Sequence, residues 1–299
     1  MISQNAWILT SIILAVVVAF DFTWAVLRRN QNTSLKEATL WSLFYVSLAI
    51  GFGIQLGTWT DSQTQQEFFA GWLTEYSLSF DNLFVFVIIL TRLKIEEKSK
   101  QLALLLGILI ALVFRIIAIT IGAAAIKQFE WIFFLFGAFL IYTAVHLFLE
   151  SSHEKDEEEK ESRLITYLSA KGMKPFTIAL IALGATDILF ALDSIPAIFG
   201  LTENVYVVVT ANVFALMGLR QLYFLIGGLM QRLVYIGKGL SVILGFIGIK
   251  LLFHAFHAVD IHKIGGFKIP DITITQSLTV IVSCLAVATI ASLIKTARK

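Results

Sequence analysis

Residues 184–200 read GATDILFALDSIPAIFG and place two aspartates and a proline inside a long apolar run. Asp187 and Asp193 are six residues apart, and Pro196 follows the second aspartate by three residues. The whole 299-residue chain is similarly apolar, with 58% hydrophobic and 15% charged residues and a mean hydropathy of +0.83. Soluble domains carry about 25% charged residues. The composition therefore predicts a polytopic membrane protein that forms a single transmembrane domain over 1–299.

Nine apolar segments predict an all-α fold, because each is close to the roughly 20 residues that a helix needs to cross a bilayer. They are 5–27, 37–58, 66–91, 101–126, 130–149, 175–200, 205–230, 239–257 and 273–295. Seventeen Lys and Arg residues fall in one set of alternate loops and tails, and three fall in the other. This bias predicts a plasma (inner) membrane protein with its N-terminus outside and its C-terminus in the cytoplasm. The net charge of +2 is spread over short loops and gives no reason to expect a nucleic-acid partner.

An internal repeat relates the third to fifth segments to the sixth to eighth. The stretch EYSLSFDNLFVF matches DILFALDSIPAI, so that Glu75 corresponds to Asp187 and Asp81 to Asp193. Two further pairs follow in order, RIIAITIGA with RQLYFLIGG and GAFLIYTAVH with GFIGIKLLFH. Three matches in corresponding segments predict a duplicated three-helix unit.

Three spans are an odd number, so the second unit is expected to lie inverted in the membrane. We expect the first repeat at 66–149, a charged cytoplasmic linker at 150–174 and the second repeat at 175–257. Secondary transporters with inverted repeats bind their substrate near the bilayer midplane, between the repeats.

Eight charged residues lie away from the ends of the predicted spans. Inserting one charged side chain at the centre of a membrane-spanning helix costs about 2.5–3.5 kcal/mol. The eight residues are Asp21, Glu75, Asp81, Asp187, Asp193, Arg115, Arg220 and Lys250. We expect Arg115 and Arg220 to neutralise acids and hold helices together, and Lys250 to pair with Asp21 or to face water on the inside. Four repeat-related acids against two arginines leave a surplus of negative charge, which indicates that cations or protons bind.

Helix geometry separates the two aspartates of the opening stretch. Six residues rotate the side chains about 120° and move them about 9 Å along the axis, so Asp187 and Asp193 cannot contact one ligand from a straight helix. Pro196 predicts a helix break beside Asp193, because it lacks a backbone donor and clashes with the carbonyl of Leu192.

The candidate ligands are all hard oxygen donors. The acidic set is Glu75, Asp81, Asp187 and Asp193, and the auxiliary set is Asn82, Thr186, Ser194 and Asn212. Such donors suit Mn²⁺, Mg²⁺ or Ca²⁺, and spacing does not choose among them. No organic cofactor is expected.

Four stretches resemble the TerC family of integral membrane proteins, which includes Alx-like manganese exporters: EYSLSFDNLFVF, TDILFALDSIPAIF, ANVFALMGLRQLYFL and VILGFIGIKLL. The resemblance implies about nine helices with two inverted three-helix repeats, similar to the LysE-type transporter superfamily. It also implies divalent metal efflux, chiefly of manganese, and a link to tellurite resistance. By position, the family's acidic metal-site residues fall on Glu75, Asp81, Asp187 and Asp193. Many relatives carry a glutamate where this chain has Gly184.

These observations favour a divalent cation exporter rather than an enzyme. The ion would bind between the third and sixth helices, the two repeats would rock to face outward, and external protons would displace the ion. Two alternatives stay open, a membrane scaffold that assists the insertion or assembly of other proteins and a passive cation channel. An intramembrane aspartyl protease is disfavoured, because FAL precedes Asp193 and LSF precedes Asp81 in place of that class's motifs. The sequence gives no oligomeric state.

Overall fold

The computed structural model describes residues 4–27, 34–129, 131–149, 164–229, 233–264 and 267–297. Within these ranges nine helical stretches are long and apolar enough to cross a membrane. The prediction of a nine-span helical membrane protein is confirmed.

The described part of the chain contains ten long helices and one short strand pair. The helices are α1 (Gln4–Leu27), α2 (Leu35–Trp59), α3 (Ser62–Arg92), α4 (Glu97–Gln128), α5 (Ile132–Leu149), α6 (Pro175–Phe199), α7 (Val205–Met217), α8 (Leu219–Leu229), α9 (Ile236–Ala258) and α10 (Ile274–Ala297). The antiparallel strands are β1 (Lys263–Ile264) and β2 (Phe267–Lys268), between α9 and α10. Of the predicted linker 150–174, residues 150–163 lie outside the described ranges, and 164–170 are helical.

Local signals fix where the central helices begin. The Asp61 carboxylate caps α3 by accepting a hydrogen bond from the backbone N–H of Thr64 at 2.8 Å. This bond lowers the pKa of Asp61. Asn204 caps α7 by accepting from the backbone N–H of Tyr206 at 3.2 Å, and Pro175 begins α6 with a backbone angle already suited to a helix.

The seventh span, made of α7 and α8, lies at the centre of the bundle. In the most apolar 18-residue stretch of this span 89% of the residues are buried, whereas in the corresponding stretch of the first span 11% are buried. Helices α3 and α4 pack against α7. Asn212 of the predicted site therefore lies on the most interior span, whereas α1 presents apolar side chains such as Ile8, Ile12 and Val16 outward.

Helices α5 and α9 approach closely at two glycines. A Cβ atom added to Gly137 would lie 2.9 Å from the carbonyl oxygen of Gly248, and one added to Gly248 would lie 3.0 Å from the carbonyl oxygen of Gly137. Further along, the position of a Cβ on Gly245 is 3.5 Å from Ala144 Cβ. This order of contacts shows that the two helices run antiparallel. Small residues at such interfaces allow backbone contact in membranes.

Replacing Gly248 by alanine should therefore destabilise the protein by about 1–3 kcal/mol, the usual cost of overpacking. The added methyl group would also meet the backbone nitrogen of Ile141 at 3.1 Å. The matched control is Gly51→Ala in α2, where an added Cβ meets nothing within 4 Å and the helix should gain about 0.5–1 kcal/mol. Thermal unfolding in detergent measures both changes, and equal midpoints for the two variants would refute this description of the interface.

The expected interruption at Pro196 is absent, because α6 continues through this residue to Phe199. A proline this near the end of a helix removes only the hydrogen bond to the carbonyl of Leu192, and the buried packing of the last turn holds the helix together. The interruption lies instead in the seventh span, where α7 ends at Met217, Gly218 forms the turn and α8 begins at Leu219.

Candidate cation site

Arg115 of α4 lies at the centre of a buried polar cluster. Its guanidinium forms an ion pair with Glu75 of α3 and a two-pronged pair with Asp187 of α6. In the second pair, Nη2 lies 3.0 Å from Oδ1 and Nε lies 3.2 Å from Oδ2 of the aspartate. The side chains of Arg115 and Glu75 are each only 1% exposed. Two predicted acids, one from each proposed repeat, thus meet around a single arginine.

Two further predicted oxygen donors contact the same guanidinium. Arg115 Nη1 donates to Ser194 Oγ at 3.4 Å and to Asn212 Oδ1 at 3.1 Å. The amide nitrogen of Asn212 donates to the carbonyl of Val208, so that the amide oxygen points toward the arginine. We call Glu75, Arg115, Asp187, Ser194 and Asn212 the central cluster.

Helix periodicity brings these residues together. Asp187 and Ser194 are seven residues, or almost two full turns, apart, so both point to one side of α6. Asp187 lies twelve residues from either end of α6, which places the cluster at mid-height of this span. Asn212 faces the cluster from α7, the most buried part of the bundle.

The described part of α3 leaves oxygen acceptors unused beside the cluster. Oε1 of Glu75 is paired with Arg115, but Oε2 of Glu75 has no hydrogen-bond partner among the described residues, and the same holds for the hydroxyl of Ser79 one turn further along α3. Both residues are 1% exposed. With both acids ionised, Glu75, Asp187 and Arg115 also carry one net negative charge. Buried acceptors without donors and uncompensated negative charge both favour a bound cation.

Asp193 does not join the central cluster. It is half-buried and accepts a hydrogen bond from Thr143 Oγ1 of α5 at 3.3 Å. Asp187 and Asp193 thus have different surroundings, because α6 is continuous between them and six residues turn their side chains about 120° apart. Thr143 was not singled out in the sequence, and only the tertiary contact between α5 and α6 shows its role.

The structure describes no contact between the central cluster and the remaining predicted ligands. Asp81 belongs to α3, but its side chain lies outside the part of the chain that the structure describes. Asn82 is half-buried on α3 and is not among the described partners of Arg115. The hydroxyl of Thr186 donates to the carbonyl of Ala182, within α6.

The described side chains hold no group of three or more His, Cys, Asp or Glu residues arranged to bind a metal ion. The three predicted acids whose side chains are described, Glu75, Asp187 and Asp193, therefore do not converge on one point in this conformation. The physical reasons are that the guanidinium of Arg115 separates Glu75 from Asp187 and that Asp193 turns toward α5.

Gly184, one turn before Asp187, faces α4. A Cβ atom built on it would lie 3.0 Å from Ile110 Cγ2. On α4, a Cβ atom on Gly107 would lie 3.1 Å from Leu183. Gly184 thus permits close packing between α4 and α6.

The second arginine of the repeat has a separate partner. Arg220 Nη2 of α8 donates to Asp21 Oδ1 of α1 at 2.7 Å, and the same oxygen accepts from the Tyr45 hydroxyl of α2 at 2.7 Å. Asp21 is thus paired with Arg220, and the pairing proposed between Asp21 and Lys250 is wrong. This contact connects α1 and α2 to α8.

A polar cavity of about 540 Å³ opens beside the N-terminal end of α3 and the C-terminal end of α6. Its wall includes Glu67, Lys250, Glu203 and His254. Lys250 lies within electrostatic reach of Glu67 across this cavity. Glu203 Oε1 lies 3.1 Å from His254 Nε2, and this hydrogen bond lowers the pKa of Glu203. Charge distribution in the loops predicts that this face is the outer one, and we call this space the outer cavity.

Fold and site together define a multi-pass integral membrane protein with a charged cluster buried among its central helices. A model of the family described as "Integral membrane protein TerC family" matches residues 60–299. The chain therefore belongs to the TerC family of integral membrane proteins. No solved structure matches it.

Relatives from several bacteria align along most of the chain. An uncharacterized membrane protein of Mycobacterium tuberculosis is 42% identical, covering 97% of this chain and 79% of the relative. One from Myxococcus xanthus is 37% identical, covering 90% and 86% respectively. A protein of Escherichia coli K12, provisionally named membrane-bound redox modulator Alx, is 33% identical, covering 84% and 86%.

Proposed function

We propose that this protein exports a divalent cation, chiefly Mn²⁺, by alternating access. The observation that carries the proposal is the buried meeting of Glu75 and Asp187, with oxygen atoms of Ser194 and Asn212 beside them. Hard oxygen donors of this kind suit Mn²⁺, with Mg²⁺ and Ca²⁺ as the nearest competitors. Intramembrane charges of this kind mark ion pathways in membrane proteins.

The course of α6 suggests a route for the ion. Asp193 lies about 9 Å beyond Asp187 along the helix axis, and Phe199 and Gly200 at the end of α6 line the outer cavity. Glu67 and Glu203 give that cavity a negative wall. An ion released from the central cluster would pass Asp193 and leave through the outer cavity.

Exchange with protons supplies the energy in this proposal, because carboxylates bind either protons or metal ions. Proteoliposomes loaded with Mn²⁺ and subjected to an imposed pH gradient test this step. The expected result is Mn²⁺ flux that increases when protons are driven the opposite way. Manganese flux indifferent to the gradient would exclude proton exchange while leaving the cation site itself in place.

Replacing Asp193 by asparagine separates transport from the scaffold alternative. We expect Asp193→Asn to abolish manganese export, because it removes the carboxylate between the central cluster and the outer cavity. Thr143→Ala should reduce export less than about tenfold, since it removes one neutral hydrogen-bond donor. The measurement is cellular manganese content under manganese stress, with and without the gene, and membrane insertion checked by immunoblotting.

A scaffold would function normally with asparagine at position 193, and the cells would then show unchanged manganese content with or without the gene. A passive channel would conduct the ion through a continuous pore, without alternating access. In proteoliposomes it would give Mn²⁺ flux that does not saturate and no counterflow of labelled ion, whereas an exporter gives both saturation and counterflow.

A further inference from the structure

Arg115 occupies the position that a cation would need. Four predicted oxygen ligands, Glu75, Asp187, Ser194 and Asn212, all contact its guanidinium. The guanidinium lies between the two carboxylates and uses both oxygens of Asp187. A metal ion coordinated by the same atoms cannot fit there while the guanidinium remains.

Charge leads to the same exclusion. Arg115 is 1% exposed, so water does not screen it from a nearby ion. Two carboxylates neutralise one divalent cation, and a guanidinium retained beside that cation would add an uncompensated positive charge in the interior of the membrane. Burial of an unpaired charge of this kind is strongly unfavourable.

We propose that Arg115 competes with the transported cation for the oxygen atoms of the central cluster. This proposal rests on the proposed function. The guanidinium pairs with Glu75 and Asp187 when no metal is bound, and metal binding requires it to withdraw. Its withdrawal breaks the contacts that join α4 to α3, α6 and α7. Metal binding is thereby coupled to the arrangement of these helices, and the return of Arg115 expels the ion.

Arg220 provides a matched comparison within the same chain. It is also a buried arginine, 4% exposed, but its partner is Asp21, which is not among the proposed ligands. An effect that follows from losing any buried arginine should appear at both positions. An effect that follows from competition for the cation site should appear at Arg115 alone.

The test is Mn²⁺ binding to the purified full chain in detergent, measured by equilibrium dialysis with radioactive Mn²⁺. Arg115→Gln should bind Mn²⁺ about 5- to 150-fold more tightly than the unmodified protein, the usual range for coupling between two competing or cooperating groups. Arg220→Gln should bind with unchanged affinity. Arg115→Lys keeps the charge but lacks the two-pronged contact, so its affinity should lie between those of the unmodified protein and Arg115→Gln.

The outcomes separate this proposal from the proposed function. If the unmodified protein binds Mn²⁺ and Glu75→Gln abolishes binding, but Arg115→Gln binds no more tightly, the competitor role is overturned and the site stands. If Arg115→Gln does not fold, Arg115→Lys decides, and an affinity equal to that of the unmodified protein overturns the role. If neither the unmodified protein nor the folded Arg115 variants bind Mn²⁺, both proposals fail.

Discussion

Asp187→Asn should reduce manganese export about a hundredfold or more while the protein still folds and inserts. Even residues that only support a metal ligand cost about 10–100-fold when replaced, so a direct charged ligand should reach at least the upper end. The variant is expected to fold because asparagine still accepts a hydrogen bond from Arg115, and because Glu75 alone then balances the arginine.

The measurement for this variant is Mn²⁺ uptake into inside-out membrane vesicles at matched protein levels. Asp260→Asn is the control, since the Asp260 side chain is 98% exposed beyond the end of α9. Asp260→Asn should transport normally. If Asp187→Asn retained half of the normal rate, Asp187 would not be a ligand of the transported ion.

Asp21→Asn should destabilise the protein by about 3 kcal/mol, because removing one partner of a buried ion pair leaves the other charge uncompensated. Arg220 is 4% exposed and its Nε already lacks a hydrogen-bond partner among the described residues. The double variant Asp21→Asn, Arg220→Gln should recover part of the loss, because it removes the stranded charge.

Unfolding by denaturant in detergent micelles measures the free energies of unfolding of the unmodified protein, Asp21→Asn, Arg220→Gln and the double variant, with Asp260→Asn again as the exposed control. An Asp21→Asn variant within 1 kcal/mol of the unmodified protein would show that the contact between α1 and α8 contributes little to stability. A stability loss in the double variant equal to the sum of the two single losses would show that Asp21 and Arg220 are not coupled as an ion pair.

The spans could be predicted because the length of an apolar segment is a local property that the bilayer thickness sets directly. Helix interruptions could not be located in the same way. Pro196 is a strong local signal, yet α6 continues past it, whereas Gly218 interrupts the seventh span without any proline nearby. Tertiary packing therefore decides at which proline or glycine a helix is interrupted. The inverted repeat stays a prediction from sequence.

The site was partly predictable for a similar reason. The angle between Asp187 and Asp193 follows from helix geometry alone, and on the continuous helix α6 it places the two side chains in different surroundings. The identity of each partner does not follow, because it depends on which helices meet. From the sequence, Arg115 was expected to pair with acids that could not be specified, and the structure pairs it with Glu75 and Asp187. Asp21 was a possible partner of Lys250, whereas in the structure it pairs with Arg220.

The most direct test of the cation site is an anomalous diffraction map from crystals of the full chain soaked in Mn²⁺. The account predicts a peak between the carboxylates of Glu75 and Asp187, with the Arg115 guanidinium moved away from its position between them. A peak in the outer cavity alone, with Arg115 still bound to both acids, would contradict the account.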